Sequence, residues 1–368
     1  MTGGEHMDLD FLRPLYTGLG GYASVYLDTS RDHEEAQREV DVRWRNARER
    51  LASAGADPAT LNALAEVIND AGQAAPGRAA FGRDGVAPLA ASLAAPPRRE
   101  IARVAPLPHA MPLLAQRDPH IPQLRVTARH DGGEVVVVNA AGREYEEQVA
   151  GTGWPVHKVS GGGWSQLRYQ RSTEEAWKTN ARELAERVTT EAGRIGAGLI
   201  LVAGDPVARS LLVQQLGSEL AAVTVIIDHE IPADSEAAGR AANQAVADFA
   251  VRRSRERYEH WRTQQAHGHG VAGLAATMAA FRDGAVAELL LADHPESTAT
   301  AWIGPGPADL ASSAAELTER GVAGPVPDRA DAALARAAAM TGAQLYFLPA
   351  ADPAPEDGIC ALLRFPAR

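Results

Sequence analysis

Between residues 124 and 228 the order of apolar patterns leaves few folds open. Leu124-Arg125-Val126-Thr127-Ala128 and Glu134 to Asn139 follow the pattern of strands, and Asp131-Gly132-Gly133 between them predicts a hairpin. Arg143 to Val149 adds a third strand. After an interval rich in glycine, a helical period runs from about Ser172 to Ile195. Leu199 to Gly204 is a continuous apolar run, as expected of a buried strand; Pro206 to Leu216 follows as a helix and Ala222 to Asp228 as another strand. Three strands, a loop and then helix, strand, helix, strand describe a mixed sheet covered by helices.

The flanking segments predict two further α/β units, so the fold class is α/β with three domains, 1–123, 124–232 and 233–368. In the first, Tyr22 to Asp28 alternates as a strand, and a long charged helix runs from about Asp32 to Ser53 with Val40, Trp44, Ala47 and Leu51 on one face. Asp57-Pro58 starts another helix. Ala79 to Phe81 and Gly85 to Leu89 read as short strands joined by a turn at Gly82-Arg83-Asp84. The proline-rich region from Ala95 to Pro122 reads as an extended connection. In the third unit, helices are predicted at Glu236–Gln265, Gly273–Asp283, Ala308–Arg320 and Arg329–Thr341. Strands are predicted at Ala287–Ala292, Gln344–Leu348 and Ile359–Phe365, which together make a small α/β sandwich.

The 368 residues carry 36 Lys and Arg against 47 Asp and Glu, a net charge of -11 that excludes a general nucleic-acid coat. Any contact with RNA must therefore be local. The lone Cys360 excludes a disulfide framework and fits a reducing cytoplasm. No apolar run approaches the ~20 residues of a membrane span, so no membrane partner is expected. Nucleotide-binding glycine fingerprints, zinc-protease and serine-nucleophile motifs are all missing, and no cofactor is expected. His267 and His269 lack a third ligand at metal-site spacing, so metal is expected to be absent as well. Asp205 follows a strand and precedes Pro206, the pattern of a helix N-cap. Arg252, Arg253, Arg255, Arg257 and Arg262 are interspersed with Glu256 and Glu259, which suits pairing within the helix more than an RNA-facing patch.

The segment from Lys158 to Arg171 stands apart. Gly161-Gly162-Gly163 can approach a partner's surface closely, at an entropic cost. From Lys158 to Thr173 there is no acidic residue, while Lys158, Arg168 and Arg171 are cationic. Trp164, Ser165 and Gln166 follow the glycines directly. A basic, glycine-rich tip ahead of a helix suits an anionic, crowded partner.

Gly162-Gly163-Trp164-Ser165-Gln166-Leu167-Arg168-Tyr169 resembles the GGQ loop of the archaeal and eukaryotic class-1 peptide release factors. Gly162 and Gly163 match the two glycines, and Leu167-Arg168-Tyr169 matches the Leu-Arg-Phe that follows in that family. Trp164 stands where the family has its catalytic glutamine, and Gln166 lies two positions further on. The resemblance covers roughly residues 124–368 and is strongest to a bacterial branch that includes the hibernation factor Balon and proteins labelled Vms-type peptidyl-tRNA hydrolases. It implies a three-domain release-factor-like architecture in a cytoplasmic protein that is monomeric away from the ribosome. It further implies binding in the ribosomal A site, with the loop reaching the peptidyl transferase centre. rRNA, P-site tRNA and the GTPase EF-Tu are the implied partners. Lys158, Gly161, Gly162, Gly163, Trp164, Ser165, Gln166, Arg168 and Arg171 are then the expected RNA contacts.

Two functions stay open on this reading. One is a non-catalytic factor that plugs an idle ribosome. The other is a ribosome-rescue peptidyl-tRNA hydrolase in which Gln166 replaces the missing glutamine.

Overall fold

The structure, a computed structural model, describes residues 9–31, 35–69, 75–93, 95–117, 121–139, 144–150, 164–227, 236–294, 297–348 and 354–366, with the backbone alone at 117, 164–173, 236 and 238. A 3-10 helix, Asp10–Tyr16, leads into β1 (Tyr22–Asp28), α1 (Ala36–Ser53), α2 (Pro58–Ile68), β2 (Gly77–Arg83), β3 (Val86–Leu93), β4 (Ile101–Ala105) and α3 (Met111–Arg117). The strands form an antiparallel sheet in the order β3-β2-β1-β4. Asp57 starts α2 as the sequence suggests, its carboxylate accepting from the Thr60 amide. Gly82, expected in a turn, is a strand residue. A Cβ there would meet Thr60 and Leu64 of α2 at 2.9 and 3.0 Å, so glycine serves close helix–sheet packing. The turn itself is Asp84-Gly85, both at positive φ. The proline-rich region also differs from the expected connection, since it supplies β4 and α3.

The next elements are β5 (Gln123–Arg129), β6 (Gly132–Val138), β7 (Glu144–Ala150), α4 (Trp164–Ile195), β8 (Leu199–Gly204), α5 (Pro206–Gln215), α6 (Ser218–Ala222) and β9 (Thr224–Ile226). Their five strands lie in the order β7-β6-β5-β8-β9. β5, β6 and β7 are antiparallel, while β5, β8 and β9 run parallel. On α4, Leu184, Ala185, Val188 and Ala192 recur at helical spacing. They cover Leu124, Val126, Val135 and Val137 of the sheet.

Helix α7 (Glu236–Ala266) precedes β10 (Gly270–Ala272), α8 (Leu274–Arg282), β11 (Val286–Ala292), β12 (Thr300–Ile303), β13 (Leu310–Ala311), α9 (Ala314–Glu319), β14 (Val326–Arg329), α10 (Ala330–Thr341), β15 (Gln344–Leu348), a 3-10 turn at Glu356–Gly358, and β16 (Ile359–Leu363). One sheet has the order β10-β16-β11-β15 and a smaller one β13-β12-β14. The helix expected from Ala308 to Arg320 is shorter. Leu310-Ala311 pairs with β12, and Ser313 caps α9 by accepting from the Glu316 amide.

Contacts divide the chain into two compact units, Pro119–Arg252 and a second that joins His6–Asp118 to Arg253–Arg368. The partition therefore runs inside α7, whereas the sequence-based boundary at 232 precedes that helix. The first and third sequence segments share one core. Leu12, Leu15, Tyr26, Phe81 and Leu114 cluster with Met278, Phe281 and the buried alanines of α10. Small side chains along α10 allow this close approach, and the helix ends at Gly342 in the left-handed region. The opposite face of the first sheet, with Ala23, Val25 and Leu27, packs on Trp44, Leu51, Leu61 and Leu64 of α1 and α2. β1 is thus covered on both faces. No helix among the described residues is long and apolar enough to cross a membrane.

Candidate functional site

The basic, glycine-rich segment leaves the edge strand β7 and enters α4. Lys158, Gly161, Gly162 and Gly163 lie outside the described residues. Trp164, Ser165, Gln166, Arg168 and Arg171 belong to α4, which begins at Trp164 rather than near Ser172. Leu, Arg, Gln and Tyr in this stretch are compatible with helix, and no proline interrupts it. With 32 residues, α4 is about 48 Å long.

Its sheet-bound half is tied to β7 by ion pairs. Arg187 donates from Nε to Glu147 at 2.8 Å and pairs with Glu191 at 3.3 Å. Arg194 pairs with Glu191 at 2.9 Å, and the Tyr145 hydroxyl donates to the same carboxylate at 2.7 Å. The hydrogen bond to Glu147 raises the Arg187 pKa, so the guanidinium stays charged. Glu191 is buried and acts as the hub.

A second cluster lies where α4 meets the ends of β5 and β8. The His130 ring stacks on Trp177 at 3.8 Å between centroids, with 22° between planes. His130 Nε2 is 3.2 Å from Asp205 Oδ1, and Asn180 Nδ2 donates to the His130 carbonyl at 2.8 Å. Asp205 also caps α5, accepting from the Val207 and Ala208 amides, as its position before Pro206 suggested. Just before it, Gly204 has φ +105°, and a Cβ there would lie 2.1 Å from the Ala128 carbonyl. Sequence reasoning missed His130, Trp177 and Asn180. The only signal was an indole and an imidazole amid charged neighbours, 47 residues apart.

Three arginines of the α7 cluster and Cys360 have structural roles. Arg257 donates to Glu288 and to the Tyr346 hydroxyl, both at 2.9 Å, and lies over the Tyr346 ring. Arg262 pairs with Glu259 and Arg252 covers Phe249. Cys360 is fully buried, and desolvation pushes its thiol up to about 12, which leaves it inert. Among the described residues, no three His, Cys, Asp or Glu side chains are grouped to hold a metal.

Residues 122–267 match the family model for bacterial archaeo-eukaryotic release factor family 2. Two Mycobacterium tuberculosis proteins, Uncharacterized protein Rv2629 of strain H37Rv and Uncharacterized protein MT2704 of strain CDC 1551, are each 30% identical over 374 residues. Each alignment covers 97% of this chain and 96% of the relative. Among solved structures, the ribosome-bound archaeal Pelota with ABCE1 aligns at 12% identity and a TM-score of 0.40, covering 99% of this chain and 96% of that one. The family model carries the assignment: through residues 122–267 the chain belongs to the bacterial branch of the archaeo-eukaryotic release factors.

Proposed function

We propose that the protein is a ribosome-binding hibernation factor. It occupies the A site of an idle ribosome and directs Gly161 to Gly163 and the start of α4 toward the peptidyl transferase centre, without hydrolysing peptidyl-tRNA. The observation that carries this reading is Trp164 at the place of the family's glutamine. Hydrolysis of the peptidyl ester requires a positioned water, and such positioning is a large share of the barrier reduction. An indole offers one N–H donor and no acceptor. Its flat face suits stacking on an RNA base, worth ~1–3 kcal/mol in single-strand complexes. Arg168 and Arg171 supply phosphate contacts without sequence information. rRNA and P-site tRNA are the proposed contacts, EF-Tu the proposed delivery partner and the cytoplasm the proposed compartment.

The test is co-sedimentation with ribosomes from starved and growing cells, joined to single-turnover release of ribosome-bound peptidyl-tRNA. Binding without release is expected, and Trp164→Ala should weaken binding by roughly tenfold if one stacked base is lost. Release that Gln166→Ala abolishes would replace this reading with the hydrolase.

A further inference from the structure

We infer that His130, Trp177 and Asn180, with Asp205 behind them, form a collar that sets the direction in which the N-terminal part of α4 leaves the sheet. They are positioning residues for the start of α4, from Trp164 to Arg171, and the inference rests on the ribosome-binding role proposed for that segment.

Among the described side chains of α4, Asn180 is the first that is fully buried, followed by Ala181, Leu184 and Ala185. Trp177, less than a turn before Asn180, is half-buried. Thirteen residues separate Trp164 from Trp177, about 20 Å of helix. At that length a 10° change of direction moves Trp164 by about 3.5 Å. A contact at Trp177 therefore controls the aim of the tip far more than one deep in the sheet core.

The collar's composition suits that task. Flat stacking of imidazole on indole fixes both rotation and tilt. The His130 backbone is held by Asn180, and its ring by Asp205, which is itself fixed as the α5 cap. Three turns of the chain, the ends of β5 and β8 and the flank of α4, thus meet at one point. The arrangement is also costly. Trp177 Nε1, Asn180 Oδ1 and His130 Nδ1 are buried without a hydrogen-bond partner among the described residues. Aliphatic packing would bury the same surface without that loss. What the polar, planar set adds is orientation.

The test is a distance measurement between spin labels in the full chain, away from the ribosome. Labels go on Gln170→Cys in α4 and Gln214→Cys in α5, with the buried Cys360 changed to Ala. The parent should give a narrow distribution. Trp177→Leu, which keeps apolar volume, and His130→Ala, on a side chain one-quarter exposed, should each broaden it about twofold over the ~20 Å lever. Trp177→Phe, which retains a ring to stack, should restore the parent width. If a tenth of the molecules then hold the binding direction, ribosome affinity falls about tenfold in the broadened variants. Unchanged width in folded Trp177→Leu and His130→Ala, judged by circular dichroism, overturns the collar. A broadened distribution in a protein whose parent does not bind ribosomes leaves the collar standing and removes the ribosomal reading instead.

Discussion

Acidification should destabilise the unit that joins the first and last thirds of the chain, through one histidine. His109 is 7% exposed. Its amide donates to Ser24 Oγ at 3.0 Å and its carbonyl accepts from the Tyr26 hydroxyl at 2.7 Å, so the backbone is anchored whatever the side chain. Burial lowers its pKa from 6.5 to about 4. Asp331 opposes the shift, while Arg329, Arg103 and Arg99 add to it. The folded pKa is thus depressed below the unfolded one. Above pH 6.5 both states are neutral and the group contributes nothing. As pH falls toward 4, the unfolded chain takes up a proton that the folded one refuses, and stability drops. Each tenfold difference in proton affinity between the two states is worth about 1.36 kcal/mol, so the full loss is about 3 kcal/mol, and about 2 kcal/mol is gone by pH 5. Asp328, whose pKa is raised chiefly by desolvation, acts with the opposite sign, because its folded form binds a proton more readily. The His109 contribution is isolated by comparing urea unfolding of the parent and His109→Gln at pH 7 and pH 5. The parent should lose about 2 kcal/mol more than the variant over that interval. Equal slopes, or an NMR titration of native His109 centred near 6.5, would refute the reasoning.

Other outcomes follow from the α4 unit. Leu184→Ala removes a fully buried side chain between α4 and the sheet and should cost about 3–4 kcal/mol in urea unfolding. Gly204→Val places a β-branched residue at φ +105° against the Ala128 carbonyl, and should abolish soluble expression or cost at least about 3 kcal/mol. Glu191→Gln removes the charge that gathers Arg187, Arg194 and the Tyr145 hydroxyl. Faster hydrogen exchange in β7, with exchange in β5 unchanged, is the expected result.

Much of the sheet in this unit was legible. The alternation in β5, the valine run of β6 and the apolar run of β8 are local signals. The hairpin forms as expected, but its turn is His130-Asp131: Gly132 and Gly133, expected in the turn, open β6 opposite Arg129 and Ala128. β10, β12, β13 and β14 were not legible. They are two to four residues long and owe their conformation to sheet partners, β10 to β16 and the other three to one another. β4 was hidden by surrounding prolines, although its own five residues contain none. Sequence alone puts the start of α4 eight residues late, because three glycines suggest that irregular chain continues. The helix-compatible residues from Trp164 onward outweigh that suggestion. Of the candidate site, the basic tip was apparent from composition and resemblance. The His130–Trp177 stack was not, since each ring alone reads as a surface residue and only tertiary pairing gives them meaning.

The shared core of Leu12, Tyr26, Phe81 and Leu114 with Ala333 and Ala337 has a consequence for how the chain is made. One face of the β3-β2-β1-β4 sheet has its partner helix near the far end of the sequence. During synthesis that face waits while about 210 residues are added, roughly 10–40 s at 5–20 residues per second. The segment around α4 can complete its own sheet in that interval, since its strands and covering helix lie within Pro119–Arg252. The nascent N-terminal sheet remains sticky until α10 emerges, so truncations before residue 330 should accumulate with chaperones or in inclusion bodies, whatever becomes of the middle of the chain.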